Sequence, residues 1–186
     1  MENKNTVELK KKLLALLKKD AFKKGKFILS SGKESNFYLD GRIITMTPEG
    51  AYLIAAIILE MIKDVPLDGF GGPTLGADPI VGAVACLSHI QGNPMKTFIV
   101  RKAAKVHGTQ RQVEGPALSV GNRVVLVDDV ATTGKSLVEA KQVLDVMGVI
   151  AEKAIVIVDR NEGAKENLNR VGLKLESIFS LSDLGV

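Results

Sequence analysis

Four short apolar runs separated by helical patterns constrain the fold of this chain more than any other feature of its sequence. The runs lie near residues 68–70, 97–100, 123–128 and 153–158. Because these runs are mainly apolar and do not alternate with polar residues, they are typical of strands that are covered on both faces, as in a parallel sheet. Their alternation with helices predicts an α/β fold with a central, mostly parallel sheet flanked by helices.

Length and composition set the number of domains. The chain has 186 residues, of which 46% are hydrophobic, and this suits a single domain spanning residues 1–186. The one cysteine, Cys86, excludes an intrachain disulfide, and with only two histidines a Cys/His zinc site is also excluded. Cys86 lies in the apolar run "IVGAVACL" and is predicted to be a small core residue. The net charge of +4 is too small to demand nucleic acid.

Several local signals place helices and turns around the sheet. Apolar residues recur on one face of residues 6–20, which predicts an amphipathic helix docked on the domain in preference to a membrane anchor. The segment "KFILSSGKESNFYLDGR" predicts a hairpin or irregular β structure. A Thr47 cap followed by Pro48 predicts one helix start, and Asp78 with Pro79 predicts another.

The carboxyl ends of parallel strands share one edge of the sheet, and ligands bind there in such folds. The segments that follow the four predicted strands are residues 71–76, 101–111, 128–136 and 159–160. We therefore expect them to meet at one rim. This rim is the predicted site of function.

Two adjacent carboxylates, Asp128 and Asp129, end the strand in "VVLVDDVATTGKS". Such a pair repels itself and loses solvation at the end of a buried strand unless something binds it. A sugar diol, which offers two donors, suits the pair, and so does a divalent cation. Two solvated acids at a strand end are the simpler alternative.

The turn after Asp129 has the character of a phosphate site. A helix that begins near Gly134 or Lys135 leaves its first backbone N–H groups unpaired, and the helix dipole favours an anion there. A plain corner with Thr133 as N-cap is the alternative. A phosphate cup beside a diol-binding pair describes a ribose 5-phosphate. A P-loop is excluded because it requires glycine where Asp129 stands.

A basic cluster, "VRKAAKVHGTQRQ", contributes to the same rim. It holds Arg101, Lys102, Lys105, His107 and Arg111 with little apolar content. Such a loop suits a highly charged group such as pyrophosphate. A solvated surface segment is the alternative.

These stretches resemble a known family. "VVLVDDVATTGKS" is similar to the phosphoribosyl pyrophosphate (PRPP) signature of type I phosphoribosyltransferases. "RKAAKVHG" resembles the basic loop of the orotate phosphoribosyltransferases, "FILSSGKESNFYLDGR" their base-binding segment, and "VDR" at 158–160 a strand end that contacts orotate. The resemblance implies transfer of the 5-phosphoribosyl group from PRPP to orotate, giving orotidine 5-monophosphate and pyrophosphate in pyrimidine biosynthesis. It also implies a small N-terminal hood made by residues 1–45 and the C-terminal segment.

The resemblance assigns a role to each matching residue. Lys105, His107, Asp128 and Asp129 are implied to be catalytic. The residues implied to bind PRPP are Arg101, Lys102, Lys105, His107, Asp128, Asp129, Val130, Ala131, Thr132, Thr133, Gly134, Lys135 and Ser136. The residues implied to contact orotate are Lys26, Phe37, Tyr38, Thr132 and Arg160.

The family pattern also implies a cofactor and an assembly. Mg²⁺ is implied, bound through the substrate, with Asp128 and Asp129 as its candidate protein ligands. The loop that carries Lys105 and His107 is implied to close over the partner subunit's site in a homodimer. We expect a cytoplasmic protein that binds neither nucleic acid nor membrane.

One segment departs from the family pattern, and two other functions remain open. The turn "GGPTLGADP" lacks the lysine found in many members, so pyrophosphate binding there is predicted to rest on backbone N–H groups and the Thr74 hydroxyl. A purine phosphoribosyltransferase is the first alternative function, because it shares the PRPP signature and differs in its base pocket. A non-enzymatic regulator that senses PRPP and binds nucleic acid through its lysine-rich N-terminal helix is the second alternative.

Overall fold

A computed structural model describes residues 4–28, 34–102 and 112–186. The strands in these residues are β1 (Phe22–Ile28), β2 (Glu34–Leu39), β3 (Gly69–Pro73), β4 (Thr97–Val100), β5 (Val113–Glu114), β6 (Arg123–Ala131), β7 (Ile150–Asp159) and β8 (Lys174–Ser180). Six of these described strands form the central sheet in the order β5-β4-β3-β6-β7-β8. Only β5 pairs antiparallel in that sheet, against β4. The predicted fold class is confirmed.

The helices in the described residues are α1 (Lys4–Leu16), α2 (Arg42–Thr45), α3 (Pro48–Ile62), α4 (Asp78–Ile90), α5 (Lys135–Val146), α6 (Ala164–Arg170) and α7 (Leu181–Leu184), and α1 continues into a π-helical turn, Leu17–Ala21. The predicted cap is present, because the Gly50 N–H donates to Thr47 Oγ1 at 3.1 Å. The start predicted at Asp78 is also confirmed. Across the described part of the chain, every helix is too short or too polar to cross a bilayer.

Strand β6 shows why the sequence had continuously apolar runs. Val125 and Val127 belong to one core, with residues of α1, α3 and α4. Val124 and Leu126 point the other way, into a second core with residues of α5 and α6. Successive side chains of a strand alternate between faces, so a sheet that is covered on both faces needs apolar residues at every position.

The prediction that Cys86 belongs to the core is wrong. The side chain is exposed on α4. The buried positions of this helix include Ile80, Val84 and Ser88, which repeat every four residues. Cys86 lies two residues from Val84 and Ser88, and two residues correspond to about 200° of helix rotation, so it falls on the opposite face.

The N- and C-terminal segments of the described chain pack together beside the main sheet. Strands β1 and β2 pair antiparallel in a sheet of their own, which confirms the predicted hairpin. Leu13, Leu17 and Leu184 lie in the same core. The Lys24 Nζ donates to the Gly185 carbonyl oxygen at 3.1 Å.

The strand order reverses between β3 and β6. Strand β3 is followed in the chain by β4 on one side of it, whereas β6 lies on its other side and leads to β7. Turns after two such strands diverge and leave a crevice at their carboxyl ends. Gly71 and Gly72 belong to β3 itself and not to the predicted turn. Both positions require glycine, because a Cβ at Gly71 would overlap the carbonyl oxygen of Phe98 and a Cβ at Gly72 that of Val127.

Candidate active site

The acidic pair lies at the end of β6, directly beside the crevice. Asp128 is 7% exposed, and its Oδ2 accepts a hydrogen bond from Ser136 Oγ at 2.8 Å. Its Oδ1 accepts the Asp129 N–H at 3.0 Å, and Asp129 Oδ1 in turn accepts the Val130 N–H at 2.8 Å. Each carboxylate is therefore fixed by the main chain that follows it, and both remain anchored at the rim.

Burial perturbs both carboxyl groups. Burial, followed by the neighbouring charge of Asp129, raises the pKa of Asp128 to about 7. Burial also raises the pKa of Asp129, and the charge of Arg42 acts in the opposite direction. Neighbouring acids whose pKa values are raised by burial are typical of a functional site.

We expect Asp128→Asn to stabilise the fold at pH 8. The folded-state pKa of about 7 lies above the unfolded value of about 4. Between these values the folded state binds more protons, so its stability falls as pH rises, and the cost is complete above pH 7. Removing the charge should return about 1–2 kcal/mol, a rise in Tm of about 2–8 °C.

Thermal unfolding by circular dichroism at pH 8 and pH 4.5 tests this expectation. At pH 4.5 the difference from wild type should shrink, since Asp128 is then largely protonated. Asp64→Asn is the matched control, because that carboxylate is exposed. A variant that is less stable than wild type at pH 8 would contradict the argument.

The turn between β6 and α5 forms a cup of unpaired donors. Within the described residues, the backbone N–H groups of residues 132–136 donate no hydrogen bond. Gly134 stands at the N-cap of α5 with φ 72°, a left-handed conformation that favours glycine, and no side chain caps the helix. Thr133 is therefore not the N-cap that the plain-corner alternative required. Free donors at a helix N-terminus are suited to a phosphate.

The turn after β3 closes the crevice from the opposite side. A Cβ added at Gly76 would overlap Asp128 Oδ1 and lie 2.5 Å from Asp129 Oδ1, so the backbone of this turn touches both acids. The Thr74 Oγ1 donates to Asp78 Oδ2 at 2.9 Å, and the Thr74 N–H donates to the Val100 carbonyl oxygen. The Thr74 hydroxyl hydrogen, which was predicted to bind pyrophosphate, is thus already donated to Asp78.

Donors for an anion remain in that turn. The N–H groups of Leu75 and Gly76 donate no hydrogen bond within the described part of the chain. The peptide bond between Thr74 and Leu75 is cis. Because the hydroxyl and the N–H of Thr74 are already engaged, anion binding by this turn would rest on the N–H groups of Leu75 and Gly76.

Part of the predicted cationic cluster lies beside the cup. Arg101, Lys102, Lys135 and Ser136 line one groove of about 1050 Å³ between α5 and the edge of β4 and β5. Arg101 Nη1 lies 3.5 Å from Glu114 Oε1, a distance at which the pair is weak. Lys105 and His107 lie outside the described residues.

The structure brings together two of the residues predicted to contact orotate, Phe37 and Arg160. The Arg160 guanidinium lies over the Phe37 ring, 4.7 Å from its centroid, and joins β7 to the hairpin. Tyr38 faces the other way, as successive strand residues do, and packs 5.6 Å from the Phe27 ring. Lys26 is exposed on β1.

Sequence reasoning missed two groups at this rim. Asp40 and Arg42 form a bidentate pair, 2.9 and 3.0 Å, and a Cβ at Gly41 would lie 2.9 Å from Asp129 Oδ2. The side-chain hydrogen bonding from Arg42 lowers the pKa of Asp40. Glu162 Oε1 lies 2.8 Å from Arg160 Nε. Two sequence signals could have revealed these groups. One is the acid–glycine–arginine sequence that follows β2, and the other is the glutamate two residues after Arg160.

Comparison with known proteins identifies the family of this chain. The Phosphoribosyl transferase domain family matches residues 48–180. The orotate phosphoribosyltransferase of Nostoc sp. (strain PCC 7120 / SAG 25.82 / UTEX 2576) is 43% identical over 95% of this chain and 85% of its own length. The chain belongs to the orotate phosphoribosyltransferase family. The resemblance inferred from its motifs is confirmed.

Solved structures of the family share the fold throughout. Orotate phosphoribosyltransferase of Mycobacterium tuberculosis H37Rv in complex with Fe(III) dicitrate superposes with a TM-score of 0.84 at 36% identity, over 96% of this chain and 99% of that one. Its complex with 5-phospho-alpha-D-ribosyl 1-diphosphate (PRPP) superposes with a TM-score of 0.79 at 32% identity, with the same coverage. The family likeness therefore includes the hairpin and the terminal segments.

Proposed function

We propose that this protein transfers the 5-phosphoribosyl group of PRPP to orotate, giving orotidine 5-monophosphate and pyrophosphate for pyrimidine synthesis. Relatives that carry the name orotate phosphoribosyltransferase match nearly the whole chain. One observation carries the proposal furthest. Five unpaired N–H groups at residues 132–136 stand directly beside two fixed carboxylates, an arrangement that suits a phosphorylated pentose.

In this proposal the cup binds the 5-phosphate and the acids bind the sugar. The free N–H groups and the dipole of α5 favour a dianion. The hydroxyls of Thr132 and Thr133 stand on the same turn, whereas the Ser136 hydroxyl, in the first turn of α5, donates to Asp128. Asp128 and Asp129 accept hydrogen bonds from the ribose hydroxyls, and their attachment to the main chain orients them before the substrate arrives.

The leaving pyrophosphate faces the cationic side of the crevice. The bond from the anomeric carbon to a pyrophosphate oxygen breaks while the bond from that carbon to a ring nitrogen of orotate forms. The pyrophosphate departs with the electron pair of the broken bond, and the ring nitrogen releases its proton to water. Arg101, Lys102, Lys105 and His107 stabilise that charge, together with the N–H groups of Leu75 and Gly76.

The residues at the rim fit Mg²⁺ as the proposed cofactor. Asp128 and Asp129 supply carboxylate oxygens, and Asp129 Oδ2 accepts no hydrogen bond among the described residues. No cluster of three metal-ligating side chains occurs in the described ranges. Mg²⁺ keeps several of its waters and binds phosphate oxygens of a substrate, so it needs few protein ligands. When bound, Mg²⁺ neutralises part of the pyrophosphate charge.

We further propose a cytoplasmic homodimer in which residues 1–45 and the C-terminal segment form a hood over the active site, and the loop bearing Lys105 and His107 serves the partner subunit's site. A single cysteine suits a reducing compartment. Met46 and Tyr52 are 74% and 55% exposed, as apolar residues at a subunit contact would be in one isolated chain. Sedimentation equilibrium gives the assembly directly.

Orotate consumption followed by ultraviolet absorbance, with PRPP and Mg²⁺ both present and each omitted in turn, tests the proposed reaction. Adenine, guanine and uracil replace orotate in parallel reactions. A transferase that prefers a purine would overturn the choice of base. A protein without transferase activity that retards nucleic acid in a salt-dependent gel shift would support the regulator instead.

A further inference from the structure

The turn after β7 is built to return Glu162 to Arg160. Asp159 is 7% exposed, and its Oδ1 accepts the Asn161 N–H at 2.9 Å. Asn161 has φ 54°, a left-handed conformation that asparagine adopts more readily than most residues. The chain reverses there, and Glu162 Oε1 comes to lie 2.8 Å from Arg160 Nε.

Arg160 is held on three sides. Its guanidinium lies 4.7 Å above the Phe37 ring, and its Nε donates to Glu162. Its backbone N–H donates to the Ala131 carbonyl oxygen at 2.9 Å, at the start of the phosphate cup. The side chain is only 7% exposed. Within the described residues, Nη1 and Nη2 donate no hydrogen bond.

This arrangement leaves one edge of the guanidinium available. A guanidinium binds a carboxylate through two parallel N–H groups, either from Nε and one Nη or from the two Nη atoms. Because Glu162 occupies Nε, only the edge formed by Nη1 and Nη2 remains for a ligand. A neutral carbonyl oxygen cannot use both of these donors as well as a carboxylate does.

We infer that Glu162 is a positioning residue that makes this site selective for a base bearing a carboxylate. The inference rests on the proposed function, since it assigns Arg160 to the acceptor base. Glu162 acts through Arg160: it fixes which guanidinium edge meets the ligand, and Phe37 fixes the plane.

A purely electrostatic role and a positioning role of Glu162 predict opposite effects on orotate binding. If Glu162 acted only through its charge, it would repel the orotate carboxylate, and its removal would tighten orotate binding. If it positions Arg160, its removal weakens orotate binding. A purely structural brace predicts a third pattern, in which the KM values for orotate and PRPP change together.

The test compares Glu162→Ala, Glu162→Gln and a control, Glu166→Ala, on the exposed face of α6. The measurements are kcat, the KM of each substrate, and the ratio of kcat/KM for orotate and uracil. For Glu162→Ala we expect the KM for orotate to rise about tenfold, the loss that one charge-assisted hydrogen bond represents. The KM for PRPP should stay within about twofold, and the orotate-to-uracil ratio should fall about tenfold.

Glu162→Gln should recover most of the selectivity, because the amide oxygen still accepts from Nε. An unchanged or lower KM for orotate in Glu162→Ala overturns the inference, and so do equal changes in both KM values. Wild-type protein that does not consume orotate would instead overturn the proposed function. The two failures are therefore distinguishable.

Discussion

Replacing Gly76 by alanine is expected to lower kcat/KM for PRPP at least about 100-fold in a protein that still folds, because a displacement of about 1 Å at a reacting site has an effect of that order. The new Cβ would overlap Asp128 Oδ1 and lie 2.5 Å from Asp129 Oδ1. Neither acid can rotate away freely, since Ser136 and the following backbone N–H groups hold them. Both must therefore shift from the positions proposed to bind the ribose hydroxyls.

The matched control for this substitution is Gly82→Ala. Gly82 lies within α4, and a Cβ there meets no atom within 4 Å. Alanine should stabilise that helix by about 0.5–1 kcal/mol and leave activity unchanged. Steady-state kinetics with varied PRPP and a melting curve of each variant distinguish the cases. Wild-type activity in Gly76→Ala would show that the acids tolerate the displacement.

Lys105→Ala is expected to slow turnover about 100- to 1000-fold, the cost of one electrostatic donor lost from a transition state. The family resemblance places this lysine on the departing pyrophosphate, where charge develops as the bond breaks. Its contribution should therefore appear in kcat more than in the KM for PRPP.

Single-turnover kinetics with saturating PRPP measures this effect without interference from product release. Lys96→Ala is the control, because Lys96 is exposed just before β4, at the end opposite the rim. A single-turnover rate constant for Lys105→Ala within about threefold of wild type would remove this residue from the proposed chemistry.

The sequence predicted the elements whose signals are local. The apolar run at 123–128 predicted a strand covered on both faces because each of the four positions 124–127 faces a core. Thr47 and Pro48 predicted a helix start because capping depends on adjacent residues. Unpaired N–H groups after β6 followed from the same local logic, since the first donors of any helix lack partners.

What the sequence did not predict depends on contacts between distant residues or on the conformation of a single backbone residue. Gly71 and Gly72 were placed in a turn, whereas they form a strand that packs against Phe98 and Val127. The approach of Gly41 to Asp129 joins residues far apart in the chain. Glu162 is close to Arg160 in sequence, but only the left-handed turn at residue 161 makes the two side chains meet.

The peptide hydrogen bond between Arg160 and the carbonyl of Ala131 has a consequence for engineering. It links, through main-chain atoms that do not depend on side-chain identity, the part of the crevice proposed to bind PRPP and the part proposed to bind the base. A combinatorial library that varies residues 37, 160 and 162 can therefore sample new heterocycles as acceptors while the sugar-phosphate half keeps its native geometry.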